Sequence, residues 1–310
     1  MCNGTCFHVT LSTENFQEAP NITKQYLQYL DALEANDLDV TEEDLYDWAL
    51  EPLLPLFQQI DSNPRKEQTY TLHDYFNPKT FEYKLHVDGG KLVASTNDGN
   101  NARPRHQEVN LAHVDHSFPW PSFCPSEISI CNKDPKDALT QFPRKVLVNK
   151  ETICYFKAFQ PGCRQEALHE LKAYLCIDQL RAEDGVQVPN TLGLVQRDDG
   201  SSYIGFLLSY IDCDGRTLEG AVCADTPQHL RQRWADQVIS TVKLLHKAGI
   251  IWGDAKAANV LVDTNMDTWI IDFGGGFTEG WVEREKAGTV EGDLQGLAKI
   301  VDYIFAKTNP

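Results

Sequence analysis

Four things are scarce or missing in this chain of 310 residues, and each bears on the class of protein it can be. Apolar residues never run long enough to cross a bilayer as a helix, which takes about 20 in succession, so no membrane span is expected. The nine cysteines are scattered and form no C-x-x-C pair. The opening stretch, MCNGTCFHVTLSTENF, has neither the basic start nor the apolar centre of a secretory signal. Together these point to reduced thiols in a cytoplasmic or nuclear setting, with cytoplasmic residence the expectation. Positive charge is scarce too: 28 Lys and Arg stand against 45 Asp and Glu, a net charge of −17. The first 125 residues hold 8 basic and 19 acidic side chains, so −11 of that lies there. Such a surface repels nucleic acid and anionic membrane on average.

What is present is an ordinary globular composition, long enough for two domains or one two-lobed domain. We expect an α/β extension over 1–125. A strand is predicted near Phe7–Leu11, and a helix capped by Asn21 carries Ile22, Tyr26, Leu30 and Leu33 on one face. Thr41-x-x-Asp44 reads as a capping box opening a second helix, which Pro52 and Pro55 must kink or split. Thr69–Phe76 and Phe81–Val87 alternate like strands, with a return strand after Asp88-Gly89-Gly90. Asn97–Arg105 has loop composition. His113, Asp115 and His116 could offer metal ligands, but no further ligand is placed by the sequence, and a polar loop is the preferred reading. Pro119, Pro121 and Pro125 suggest a boundary.

Beyond it, strands are predicted at 126–130, 144–148 and 152–158, then a helix over 164–179. Lys157 lies among apolar residues in Cys-Tyr-Phe-Lys-Ala-Phe, where a charge is costly without a partner. Glu166 and Glu170 on the following helix are the possible partners, with Glu170 preferred. A hairpin is predicted next, at 192–208. A helix is predicted from a Thr226 cap and Pro227, with a stripe of Leu230, Trp234, Val238, Val242 and Leu245, ended by Gly249.

That helix delivers the chain to Asp254, Lys256 and Asn259. Two short apolar runs, Val260–Val262 and Trp269–Ile271, then bracket a turn and end at Asp272-Phe273-Gly274. The pattern places one acid before the hairpin, an amide five residues on, and a second acid just beyond the hairpin. Phosphoryl transfer asks a protein for positioning and charge neutralisation, and magnesium prefers oxygen ligands. Asn259 and Asp272 can supply such oxygens. Asp254 can orient or deprotonate an attacking group, and Lys256 can meet a transferred phosphate.

This segment resembles the protein-kinase catalytic and magnesium loops, H-R-D-x-x-x-x-N followed by D-F-G. The W-G-D-x-K-x-x-N form looks closer to small-molecule phosphotransferases. The run W-I-I-D-F-G-G-G with a following T-E-G-W also resembles a large fungal group of kinase-like proteins. The resemblance implies an α+β, bilobal kinase-like fold over 126–310, with a small lobe to 210 and an abbreviated large lobe from 211. It implies ATP and Mg2+ as cofactors. Lys157 would touch phosphates with Glu170 as its partner, and Leu208–Ile211, above all Tyr210 and Ile211, would form the hinge against the base. Asp293 resembles the buried aspartate that braces the catalytic loop.

The chain also departs from that family. Trp252 and Gly253 replace His and Arg, the segment CNKDPKDALTQFPRKV holds no glycine where a glycine-rich loop would lie, and no A-P-E follows. The first reading is therefore an ATP- and magnesium-dependent phosphotransferase acting on a small-molecule or protein hydroxyl. The second is a repurposed kinase-like fold resembling fungal arginine-containing cyclodipeptide synthases of secondary metabolism. These draw on aminoacyl-tRNA and need neither ATP nor magnesium. The third is a pseudokinase scaffold.

Overall fold

The structure is a computed structural model, and it describes residues 5–35, 41–58, 69–96, 109, 118–132, 137–180 and 185–306. The stretch 97–105 and the residues His113, Asp115 and His116 lie outside the described residues. The chain forms two compact units, one of 1–105 with 129–143 and one of 106–128 with 144–310. The border expected near 125 falls just before the chain passes back from the second unit to the first.

In the first unit, β1 (Cys6–Thr10) pairs in parallel with β2 (Thr80–Asp88), which pairs antiparallel with β3 (Lys91–Thr96). Gly89 and Gly90 turn the hairpin at φ +56° and +78°, a backbone that suits glycine. Helix α1 (Pro20–Glu34) starts on proline, with Ala19 rather than Asn21 at the cap. Proline has no N–H to satisfy at that position, and Ala19 O accepts from Ile22 N–H at 3.0 Å and Thr23 N–H at 3.1 Å. Helix α2 (Glu42–Leu50) carries the predicted capping box. Thr41 N–H donates to Asp44 Oδ2 at 2.7 Å, and Asp44 N–H donates back to Thr41 Oγ1 at 3.4 Å. Pro52 and Pro55 split the continuation of this helix into a short turn and α3 (Leu54–Gln58). The strand expected at 69–76 is instead helix α4 (Leu72–Phe76), opened by a second capping box of Thr71 and Asp74. Phe16, Ala49 and Leu85 form the dry centre, with Tyr26 and Trp48 packed on it.

The second unit contains β4 (Ser122–Phe123), β6 (Lys145–Val148), β7 (Thr152–Ala158), β8 (Thr191–Gln196) and β9 (Tyr203–Ser209), side by side in the order β4-β8-β9-β7-β6. A three-residue strand, β5 (Ile128–Ile130), lies at the border of the two units and is shorter than the 126–130 strand expected. The β6–β7 hairpin turns through Asn149 and Lys150, both at positive φ. Helix α5 (Arg164–Leu180) packs on this sheet, where Tyr174 meets Phe206 with ring centres 5.5 Å apart.

The remainder is mostly helical: α6 (Leu218–Ala221), α7 (Gln228–Lys247), the hairpin β10 (Val260–Val262) and β11 (Thr268–Ile270), and α8 (Val290–Ala306). Trp234, Val238, Val242 and Leu245 make the buried stripe of α7, and Trp234 Nε1 donates to Met266 O at 3.0 Å, tying the helix to the hairpin turn. Gly249 at φ +74° ends the helix region, and Ile250 N–H reaches back to Leu245 O at 2.9 Å. Pro227, not Thr226, holds the cap position of α7; Thr226 Oγ1 instead accepts from Cys223 N–H at 2.9 Å, closing the preceding turn. The architecture is α+β. Among the described residues no helix is long and apolar enough to cross a membrane.

Candidate functional site

The turn after α7 is held from beneath. Asp293, in the first turn of α8 and 2% exposed, accepts from Trp252 N–H at 2.7 Å and from Gly253 N–H at 2.8 Å. His246 Nε2 lies 2.8 Å from the same carboxylate. Trp252 is fully buried and donates from Nε1 to Ile271 O at 2.9 Å, joining the turn to the end of the hairpin. Gly253 sits at φ +91°, and a Cβ there would lie 3.1 Å from Gly275 Cα. Both the backbone and the space therefore favour glycine in W-G-D.

Asp254 is the next residue. Its Oδ2 accepts from Lys256 Nζ and from Asn259 Nδ2, the latter at 3.0 Å, while its Oδ1 accepts from Thr278 Oγ1 at 2.9 Å. Lys256 Nζ also donates to Thr278 Oγ1 at 2.9 Å. Asn259 Nδ2 further donates to Asp254 O at 3.0 Å. Its amide nitrogen is thus committed, and only its amide oxygen remains for a cation. Thr278 is the member of this cluster that sequence reasoning missed; T-E-G-W stands out only as a resemblance, and nothing local marks the hydroxyl.

Lys157, on β7, pairs with Glu170 from α5 and donates to Asp272 Oδ1 at 2.8 Å. Glu166 is not its partner; it lines a shallow groove with His169 and Lys172. Burial alone would depress the Lys157 ammonium, but the Glu170 and Asp272 carboxylates outweigh it and hold its pKa above the ordinary lysine value. Burial raises the Glu170 carboxyl, and the Lys157 cation opposes that without cancelling it. Asp272 is held at φ +68°, a left-handed backbone uncommon for a residue with a side chain and typical of sites over-determined by their surroundings. Phe273 beside it is fully buried, with its ring centre 5.4 Å from that of Tyr174.

A cavity of about 420 Å³ opens beside this ion cluster. Lys157 and Asp272 line one part of it, and Leu208, Tyr210, Ile211, Leu261 and Ile271 line others. Tyr210 and Ile211 thus share a cavity with Lys157 and Asp272. Asp254, Lys256 and Asn259 do not line it and form a second cluster. The segment after Asp272 borders both clusters: a Cβ on Gly274 would lie 3.7 Å from Asp272 Oδ1, and one on Gly276 would lie 3.7 Å from Asp254 Oδ2. Among the described residues no three His, Cys, Asp or Glu side chains gather as a metal cage. Magnesium needs no such cage; one or two protein oxygens with water and phosphate suffice.

No protein-family model matches the chain. A stretch of 101 residues is 36% identical to "Putative sperm motility kinase W" of Mus musculus. The match takes in 31% of this chain, and it spans only 20% of the length of that mouse protein.

Proposed function

We propose that this chain is a phosphotransferase of kinase-like, two-lobed fold that uses ATP and magnesium and acts on a hydroxyl of a small molecule or protein. The observation that carries the reading is that Lys157, ion-paired to Glu170, and Asp272 line a cavity that Leu208–Ile211 also line. The similarity of part of the chain to a protein named as a kinase supports it.

On this reading Lys157, fixed by two carboxylates, donates to phosphate oxygens as a cation aimed into the cleft. Magnesium, when bound through Asp272 and the Asn259 amide oxygen, would neutralise charge on those phosphates. Asp254 accepts the hydrogen bond of the incoming hydroxyl and takes its proton. Thr278 and Asn259 hold its carboxylate in place. Lys256, beside the same carboxylate, places a positive charge where the transferred group passes. Trp252 and Gly253, braced by Asp293, set the height of that loop.

The experiment is thermal unfolding of the whole chain with and without ATP and magnesium. At a ligand concentration about 100-fold above Kd, stability should rise by about 2.7 kcal/mol. Asp272→Ala should abolish the rise while the variant stays folded. A wild-type melting temperature that Mg·ATP leaves unmoved would overturn the reading.

A further inference from the structure

We propose that Arg144 is a second phosphate-binding cation of the cleft, supplying by charge what the chain lacks in glycine. This names a ligand contact for the phosphotransferase reading and rests on it. Residues 131–143, which run up to Arg144, hold no glycine. A glycine-rich loop in that place would bring backbone N–H groups against phosphates, and residues with side chains allow that close approach less readily. The charge of a triphosphate then has to be met by side chains. Arg144, Lys145 and Lys157 all line the cavity, and Asp272 is the acid among its described lining residues. That is a local excess of positive charge in a chain whose net charge is −17.

The three cations are not equally available. Lys157 is ion-paired to both Glu170 and Asp272, so its charge is balanced before a ligand arrives. Lys145 Nζ is held 4.3 Å from the centre of the Tyr210 ring. Arg144 is exposed, and among the described residues nothing ion-pairs or hydrogen-bonds with its guanidinium. Its place is set by the backbone: Arg144 O accepts from Phe156 N–H at 2.7 Å, and Phe156 is the chain neighbour of Lys157. Lys145 stands one step further along, opposite Tyr155. Arg144 is thus the free cation next to Lys157 in the sheet and on the same cavity. A guanidinium keeps its charge at every working pH, and its planar fork suits two phosphate oxygens at once. An exposed arginine must be ordered to make that contact, so the gain is smaller than for a buried pair.

The test is calorimetry of ATP binding to the full chain with magnesium present, at low and at high salt. At low salt Arg144→Gln and Arg144→Ala should each weaken binding by about tenfold. Arg144→Lys keeps the charge without the fork and should fall between them and wild type. All three should melt as wild type does without ligand, because the ladder bond at this position uses only backbone. Screening shortens from about 10 Å at 0.1 M salt to about 3 Å at 1 M, so the gap between wild type and Arg144→Gln should narrow to about threefold or less. A folded Arg144→Gln that binds Mg·ATP within about twofold of wild type at low salt would overturn the inference and leave the phosphotransferase reading standing. So would a weakening that salt leaves unchanged, since a residue that only shapes the cavity would act that way. Failure of Mg·ATP to bind the folded wild-type protein would overturn the phosphotransferase reading and this inference with it.

Discussion

Lys157 is a charge in an apolar strand, and the sequence poses it as a problem needing a partner. Two carboxylates answer it, and their combined attraction outweighs burial and raises the ammonium pKa above the ordinary 10.5. The sign of the pH dependence is then fixed. A raised folded-state value means the stabilisation is complete below the unfolded value near 10.5 and is lost as pH climbs through the folded value. Wild type should therefore show an extra fall in melting temperature above about pH 10.5, and Lys157→Met should lack that limb. Parallel profiles for the two proteins across that range would contradict this account. The choice between Glu166 and Glu170 is open in sequence because both lie on α5 at positions a turn apart. Only the docking of α5 on the sheet separates them, turning Glu170 to Lys157 and Glu166 to the outer groove.

At the scale of elements, α8 works as a brace for the loop that carries Asp254. Its contact is of backbone on backbone: a Cβ added at Gly296 would stand 2.4 Å from Ala255 O and 2.6 Å from Ala255 Cβ. Neither the helix nor the loop can yield there without moving Asp254 and Lys256, which flank Ala255. Gly296→Ala should cost roughly 1–3 kcal/mol in chemical unfolding and should also shrink the melting shift produced by Mg·ATP. A variant as stable as wild type, with the shift intact, would show that the packing is looser than this. Elements also show where sequence patterns compete. The β2–β3 hairpin, the α7 stripe and the Thr41 capping box are legible in sequence because each depends on near neighbours. The 69–76 stretch misleads because Tyr70, Leu72 and the residues after them alternate, while Thr71-x-x-Asp74 caps a helix in the same span. The reciprocal hydrogen bonds of the cap prevail over the alternation. Asn21 and Thr226 have the side chains of caps, but a proline beside each takes the helix start.

At the scale of the molecule, every residue lining the cleft and both ion clusters belongs to the unit of 106–128 and 144–310. Ligand-induced protection should respect that division. In hydrogen exchange, Mg·ATP should slow amides in 145–158, 207–217 and 254–274, and should leave β1, β2 and β3 of the other unit unchanged. Protection spread equally over both units would contradict a site confined to one.

By itself the sequence determined the local furniture of the site: the order of acid, lysine, amide and second acid, the hairpin between them, and the helix that leads in. These depend on propensity and periodicity within a few residues, which letters record directly. The tertiary structure decided the partnerships. Asp272 reaches Lys157 across 115 positions, Asp293 reaches Trp252 across 41, and Thr278 closes on Asp254 across 24. No spacing rule spans such separations. Which carboxylate meets which amine depends on how buried faces of helix, sheet and loop settle against one another, and that is set by the packing of the whole core.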